Sequence, residues 1–262
     1  MLSSLNSILL FLATTLILLR LLPFVLGPIA VYRKHRIPIE RNFFPLTSAE
    51  IASCTTPIFA DRVVALTALG FQPVINLHSR SQPPSISVTI FHNTSTGDQA
   101  HVTEICMDKS ATLAPVKFLG HMEFCTEYED GQEIDTTNGL NPTIFGLTPE
   151  RKVTHLPGVE NAHLLYRIHR SFTESINVSK KPLSAPGTES RELQAGMART
   201  LDRQRKLGYL KLEASKDYYS PTVKGAIIMT WKLAWPVGAI RRKLMVKQTE
   251  RLVAMFGEHT NR

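Results

Sequence analysis

The sequence predicts an α+β protein. An N-terminal transmembrane helix comes first, then an antiparallel sheet of about five strands with packed helices, and last a basic C-terminal helical tail. Three observations carry this. Residues 1–31 contain a single charged side chain, Arg20. Apolar residues alternate with period two between Ile86 and Asn138, and repeat at helical spacing on both sides of that stretch.

The opening run, LNSILLFLATTLILLRLLPFVLGPIAVY, exceeds the roughly 20 apolar residues that cross a bilayer. Arg20 opposes insertion by about 2.5–3.5 kcal/mol at a helix centre. The surrounding Leu, Ile, Phe and Val each return a few tenths of a kcal/mol, and an off-centre arginine can snorkel. A cleaved signal would carry basic residues before a shorter apolar core. None precedes Leu19 here. Arg33, Lys34, Arg36 and Arg41 follow the run, so the positive-inside rule puts the following chain in the cytoplasm.

Thr47-Ser48-Ala49-Glu50 has capping-box spacing. Pro57 after Thr56 suits the first turn of a helix whose apolar face is Phe59, Val63 and Leu66, with Gly70 as its stop. An extended segment, Phe71–His78, follows. Ile86, Val88 and Ile90 share one side of a strand. Asn93–Asp98 is a polar reversal, and Ala100–Met107 returns. Gly120, Met122 and Phe124 oppose His121, Glu123 and Cys125 by parity, as in a half-buried strand. Glu129–Gln132 turns the chain into Glu133–Asn138. Leu165, Ile168, Phe172 and Ile176 mark one later helix, and Leu193, Met197 and Leu201 another, with KKPLSAPG as the loop between them.

Residues 225–240, GAIIMTWKLAWPVGAI, would span only about 24 Å as a helix. Three roles compete for this stretch: surface contact with the membrane, packing on the protein's own core, and a second span. Trp231 and Trp235 suit a water–lipid interface. Arg241, Arg242 and Lys243 suit anionic phospholipid headgroups. A second span would place these cations on the wrong side of the positive-inside rule. The organisation expected is a transmembrane anchor over 1–31, a basic juxtamembrane linker over 32–44, an α+β domain over 45–222 and an apolar, basic helical region over 223–262.

The net charge of +8 is unevenly spread. Residues 42–179 hold 8 basic and 14 acidic side chains, whereas 180–262 hold 17 and 7. With an apolar anchor beside them, the basic ends point to lipid and not to nucleic acid, for which the sequence has no reading module. Three cysteines, Cys54, Cys106 and Cys125, do not make a disulfide framework. A turn near Thr112 would pair position 106 with 118 and leave Cys125 without Cys106 opposite it.

No GxSxG elbow, phosphate-binding loop, HExxH or compact Cys/His set is present. No cofactor or metal is therefore expected, and no catalytic residue is assigned. The acidic run Glu123–Glu133 reads as a solvated hairpin, since Glu123 and Glu127 would lie about 13 Å apart on one face. The function expected is a single-pass, membrane-anchored cytoplasmic binding or accessory module. The alternatives are a membrane-associated enzyme of the hydrolase class and a subunit held by a membrane protein partner. The residues expected at the membrane interface are Arg33, Lys34, Arg36, Arg41, Trp231, Trp235, Arg241, Arg242 and Lys243.

Overall fold

The structure is a computed structural model. It describes residues 2–39, 43–46, 56–79, 85–106, 119–139, 149–176, 178–183, 185, 187–213, 217–234 and 236–257. The Thr47–Glu50 capping box, Cys54, Arg41 and Trp235 lie outside them. The chain forms two compact units, one built from 1–39, 143–146 and 200–242, the other from 40–142, 147–199 and 243–262.

The first unit contains helix α1 (Leu2–Lys34), whose stretch Leu10–Lys34 is long and apolar enough to cross a membrane. Strand β1 (Ile37–Pro38) pairs with a late hairpin to give a three-stranded antiparallel sheet. Helix α5 (Val223–Leu233) is capped by Thr222, whose side chain accepts from the Gly225 amide. It packs along α1. Gly27 faces Thr230, the Phe24 and Trp231 rings meet edge-on at 6.2 Å, and Trp231 Nε1 donates to the Phe24 carbonyl at 3.1 Å. The donor has a clear local reason. Pro28 lacks an N–H, so the Phe24 carbonyl has no intrahelical partner four residues on.

Gly225 is required by close approach, because a Cβ there would overlap the Tyr209 carbonyl. Alanine favours a helix interior by about 1 kcal/mol over glycine, but overpacking against fixed backbone costs about 1–3 kcal/mol. Gly225→Ala is therefore expected to destabilise this unit and to speed amide exchange in α5. Unchanged or slower exchange would show that the backbone yields.

The second unit holds the main sheet. Its strands are β2 (Phe43–Pro45), β3 (Gln72–Ser79), β4 (Ser85–Asn93), β5 (Asp98–Cys106), β6 (Leu119–Glu127), β7 (Glu133–Thr137) and β8 (Arg151–His155), in that spatial order. The five-stranded antiparallel sheet expected from the sequence is thus corrected to a seven-stranded mixed one. Two strands escaped notice for physical reasons. Three residues, Phe43-Phe44-Pro45, are too few to show alternation. Arg151–His155 has no buried–exposed period, and joins β7 in parallel across a long crossover. The strands β1, β9 (Leu210–Glu213) and β10 (Tyr218–Pro221) were likewise unforeseen.

The central meander follows the expected register. Ile105 pairs with Leu119, and Cys125 stands opposite Gln99, so Cys106 and Cys125 do not meet. One face of the sheet forms the core with helices α2 (Pro57–Ala68) and α3 (Ala162–Thr173). Thr56 caps α2 with Pro57 in its first turn, and Phe59 and Leu66 pack against Phe91, Val102, Met122, Phe124, Leu165 and Ile168. Gly120 leaves room for the Arg62 guanidinium, which pairs with Glu160 at 2.8 Å.

The opposite face is divided. Over β2–β4 it is apolar, and Leu193 and Met197 of helix α4 (Glu189–Lys206) cover Phe43, Leu77, Val88 and Ile90. Over β5–β8 it is polar. The last helix, α6 (Val237–Gly257), begins after Pro236, which together with Ala234 interrupts the apolar stretch. Within the second unit Leu252, Val253 and Phe256 of α6 pack on the core, and Arg167 donates to the Phe256 carbonyl at 2.9 Å.

Candidate metal centre

The polar half of the sheet is assembled by strand register. Side chains of one parity on β6 and β7 share a face, so Cys125 stands opposite Asp135, and Glu127 opposite Glu133. Glu133 in turn stands opposite Arg151 across the parallel pair. Glu123 lies two residues before Cys125, with His101 opposite it on β5. The result is a row of thiol, carboxylates, imidazole and guanidinium.

One donor atom from each of Cys125, Glu133 and Asp135 lies within 4.8 Å of the others. Cys125 Sγ is 3.9 Å from Glu133 Oε1. Arg151 Nε donates to Asp135 Oδ2 at 2.6 Å and lies 3.5 Å from Glu133, with Glu123 at 3.8 Å from its other nitrogen. Asp135 is fully buried, and its Oδ1 has no hydrogen-bond partner among the described residues. The Cys125 thiol, a weak donor, also hydrogen-bonds this buried carboxylate, and a proton or cation at Oδ1 would offset the cost of its burial.

The electrostatics agree. Burial and the Glu123 carboxylate push Asp135 up to about 6, although Arg151 pulls the other way. Burial, then Asp135 and Glu133, raise the Cys125 thiol well above its ordinary range. Burial also raises Glu123, with Glu133 adding to it. His101 is brought down to about 4 by burial and then by Arg151. Its Nε2 is buried without a hydrogen-bond partner among the described residues, and the ring is not among the three residues whose donor atoms converge. The site resists adding either charge in the absence of a compensating ion.

A tetrahedral zinc with bonds of roughly 2.0–2.3 Å sets its ligands about 3.5 Å apart. The donor atoms of Cys125, Glu133 and Asp135 lie within 4.8 Å of one another, and Arg151 holds Asp135 by Oδ2, leaving Oδ1 on the other side of the carboxylate. A borderline-soft ion with a thiolate and oxygen ligands fits this set better than calcium or magnesium.

A second polar group lies on the core face. Asp98 accepts from Thr126 at 2.7 Å, Tyr166 at 2.8 Å and Lys180 at 2.6 Å, with Arg170 at 3.3 Å. His169, fully buried, bridges the hydroxyls of Thr126 at 2.9 Å and Thr136 at 3.1 Å. An adjoining cleft of about 240 Å³ is lined by Ser95, Thr96, Arg170, Thr173, Glu174 and Lys180. Its cations are already committed to Asp98 and Glu174, so this network ties α3 and Lys180 to the sheet.

The residues singled out from the sequence lie elsewhere. Arg33 and Lys34 are exposed at the end of α1. Arg36 caps that helix by donating to the Tyr32, Arg33 and His35 carbonyls, and lies 5.1 Å over the Tyr218 ring. Trp231 is half-exposed on α5. Arg242 and Lys243 are exposed near the start of α6, where Arg241 is partly buried. None of these joins the Cys125–Asp135 group. Asp135 lies two residues past the acidic run and Arg151 on a parallel strand, so neither belongs to the Glu123–Glu133 pattern, and the cluster they complete with Cys125 and Glu133 stands against the expectation of no metal.

Family models, curated proteins and solved structures offer no match to this chain.

Proposed function

We propose that the chain is a single-pass membrane protein with its α+β body in the cytoplasm, working as a membrane-associated enzyme of the hydrolase class. Its centre is a zinc ion held by Cys125, Glu133 and Asp135. The observation that carries this is the convergence of a thiol and two carboxylates within 4.8 Å around the buried Asp135 Oδ1. A metal in such a set lowers the pKa of a bound water to about 7. Arg151 fixes the Asp135 carboxylate from its other oxygen, the role outer partners play at metal sites. Glu123, raised and adjacent, is placed to accept a proton. The anchor restricts the reaction to the membrane surface.

The full chain, purified in detergent and equilibrated with zinc, is expected to retain about one ion per chain by elemental analysis. Cys125→Ser and Asp135→Asn should lower affinity by at least about 100-fold, more than loss of an outer-shell partner. Zinc at about 100 times its Kd stabilises by about 2.7 kcal/mol, a rise of roughly 5–10 °C in Tm. Protons compete with the ion at Asp135, so affinity should fall about tenfold per pH unit below about 6, and more steeply once the thiol is counted. Zinc-stimulated ester or phosphoester cleavage, lost in Glu123→Gln with the metal retained, would establish the hydrolytic role.

One observation favours the accessory-module reading instead. Arg151 already sits 2.6 Å from Asp135 as a resident cation. If saturating zinc neither binds nor raises Tm, the cluster is an arginine–carboxylate brace and the binding-module reading stands.

A further inference from the structure

We propose that the bilayer surface meets α1 at Pro23–Phe24, and that the end of α5 and the start of α6 rest in an anionic headgroup layer beside it. This rests on the reading of α1 as a membrane anchor. It moves the exit point inward from the Arg33–Arg41 collar that charge alone suggests.

Helix α1 has 33 residues, about 50 Å at 1.5 Å each. A hydrocarbon core is about 30 Å thick, so a large part of α1 must lie outside it. By length and hydropathy alone the stretch Leu10–Lys34 would serve as the span, ending at the basic collar. The packing of α5 chooses otherwise. Thr230 contacts Gly27, and Trp231 donates to the Phe24 carbonyl, so α5 runs antiparallel to the last third of α1 with its C-terminal end at the level of Phe24.

If the membrane ended at Arg33, Phe24 would lie about 13 Å inside it. Trp231 and its neighbour Lys232 would be drawn to that depth, with Arg241 and Arg242 close behind in sequence. Charged side chains are among the costliest groups to place in hydrocarbon. At headgroup depth the same cations are attracted to anionic lipid. Here the apolar side chains beside them also find a use. Leu233 is 59% exposed, Ile240 56% and Val237 38%, and close in sequence to them stand a tryptophan and several cations, the composition of an interfacial segment.

Arg20 is reconciled by the same placement. It lies one turn, about 6 Å, below Phe24, within reach of the headgroups by snorkelling. Residues 2–22 then measure about 31 Å, the thickness of the core. The Phe24–Lys34 part of α1, with Pro28 and the α5 contact, becomes a stalk above the surface.

The protein contains two tryptophans, Trp231 and Trp235. A Trp235→Phe variant of the full chain leaves Trp231 as the sole reporter. It is reconstituted into phosphatidylcholine–phosphatidylglycerol vesicles carrying bromine at defined acyl depths, and flotation is checked first. Bromines near the headgroups are expected to quench Trp231 at least about twofold more than bromines near the bilayer centre. In a background lacking native cysteines, Ile29→Cys should react with a membrane-impermeant maleimide, and Leu16→Cys should not. Stronger quenching from the centre, or a protected Ile29→Cys, would return the exit point to Arg33 and overturn the inference. Flotation with no quenching at any depth would also overturn it, by removing α5 from the surface. A chain that fails to float refutes the anchor itself, which is a distinct result.

Discussion

Replacing Asp98 with asparagine is expected to destabilise the α+β body by about 3 kcal/mol at neutral pH, because the change leaves buried donors facing a weaker acceptor. The side chain is fully buried, with Lys180, Thr126 and Tyr166 all donating to it. Burial alone would raise its pKa, but those hydrogen bonds, led by Lys180, outweigh burial and hold it down to about 2. The sign follows. A carboxyl depressed in the folded state stabilises fully above its unfolded value of 3.8, and that contribution is lost as pH falls towards about 2. The gap of nearly two units corresponds to roughly 2 kcal/mol. Urea unfolding of the full chain should therefore show the variant's deficit at pH 6 shrinking by about that amount as the pH approaches 2. A deficit independent of pH would mean that packing, not charge, is what Asp98 supplies.

Truncating Phe124 to alanine is expected to cost about 3–5 kcal/mol, the range for large-to-small changes in a closed core. Phe124 is fully buried, and its ring lies 4.9 Å from Tyr166, 5.5 Å from Phe71 and 6.0 Å from His169. Tyr166 and Phe71 meet edge-on at 5.0 Å, so the lost ring would leave the cluster without its centre. With roughly 2–4 °C per kcal/mol for a body of this size, Tm should fall by roughly 6–20 °C. Phe124→Leu, which keeps most of the volume, should lose much less. Equal losses for the two variants would show that the site collapses around either side chain. Loss of the ring also removes a neighbour of His169, whose pKa burial lowers to about 4, so added solvation should move that imidazole back towards 6.5.

The candidate site shows where sequence reasoning stopped. The acidic run Glu123–Glu133 forms a hairpin, but it is solvated only at its turn: Glu129 and Asp130 are exposed as expected, whereas Glu123, Cys125, Glu127 and Glu133 are partly buried, which corrects the reading of the whole run as solvated. The arithmetic that correctly kept Cys106 from Cys125 uses the centre of a turn. Applied to the turn at Asp130, it pairs Cys125 with Asp135, which is what the register shows. That signal was legible and lay two residues beyond the run inspected. Arg151 was not legible. It arrives on a parallel strand after a long crossover, and no local period announces a neighbour that distant in sequence. Likewise Asp98 reads as the end of a polar reversal, and only the arrival of α3 and Lys180 turns it into a buried anchor.

By itself the sequence determined the apolar helix, the central meander with its register, the cap and face of α2, and the face of α3 at Leu165, Ile168 and Phe172, although the expected Ile176 lies beyond the end of that helix. Each of these follows from contacts a few residues apart: an uncharged run, alternation, a hydroxyl before a proline, a stripe at helical spacing. Tertiary structure decided what those elements do. It added the short outer strands, set Trp231 against the carbonyl that Pro28 leaves open, and brought Cys125, Asp135 and Arg151 to one face. The physical reason is one of range. Local periodicity records which side of an element is apolar, whereas a site needs polar atoms from separate elements within a few ångströms, and that distance is set only when the sheet closes.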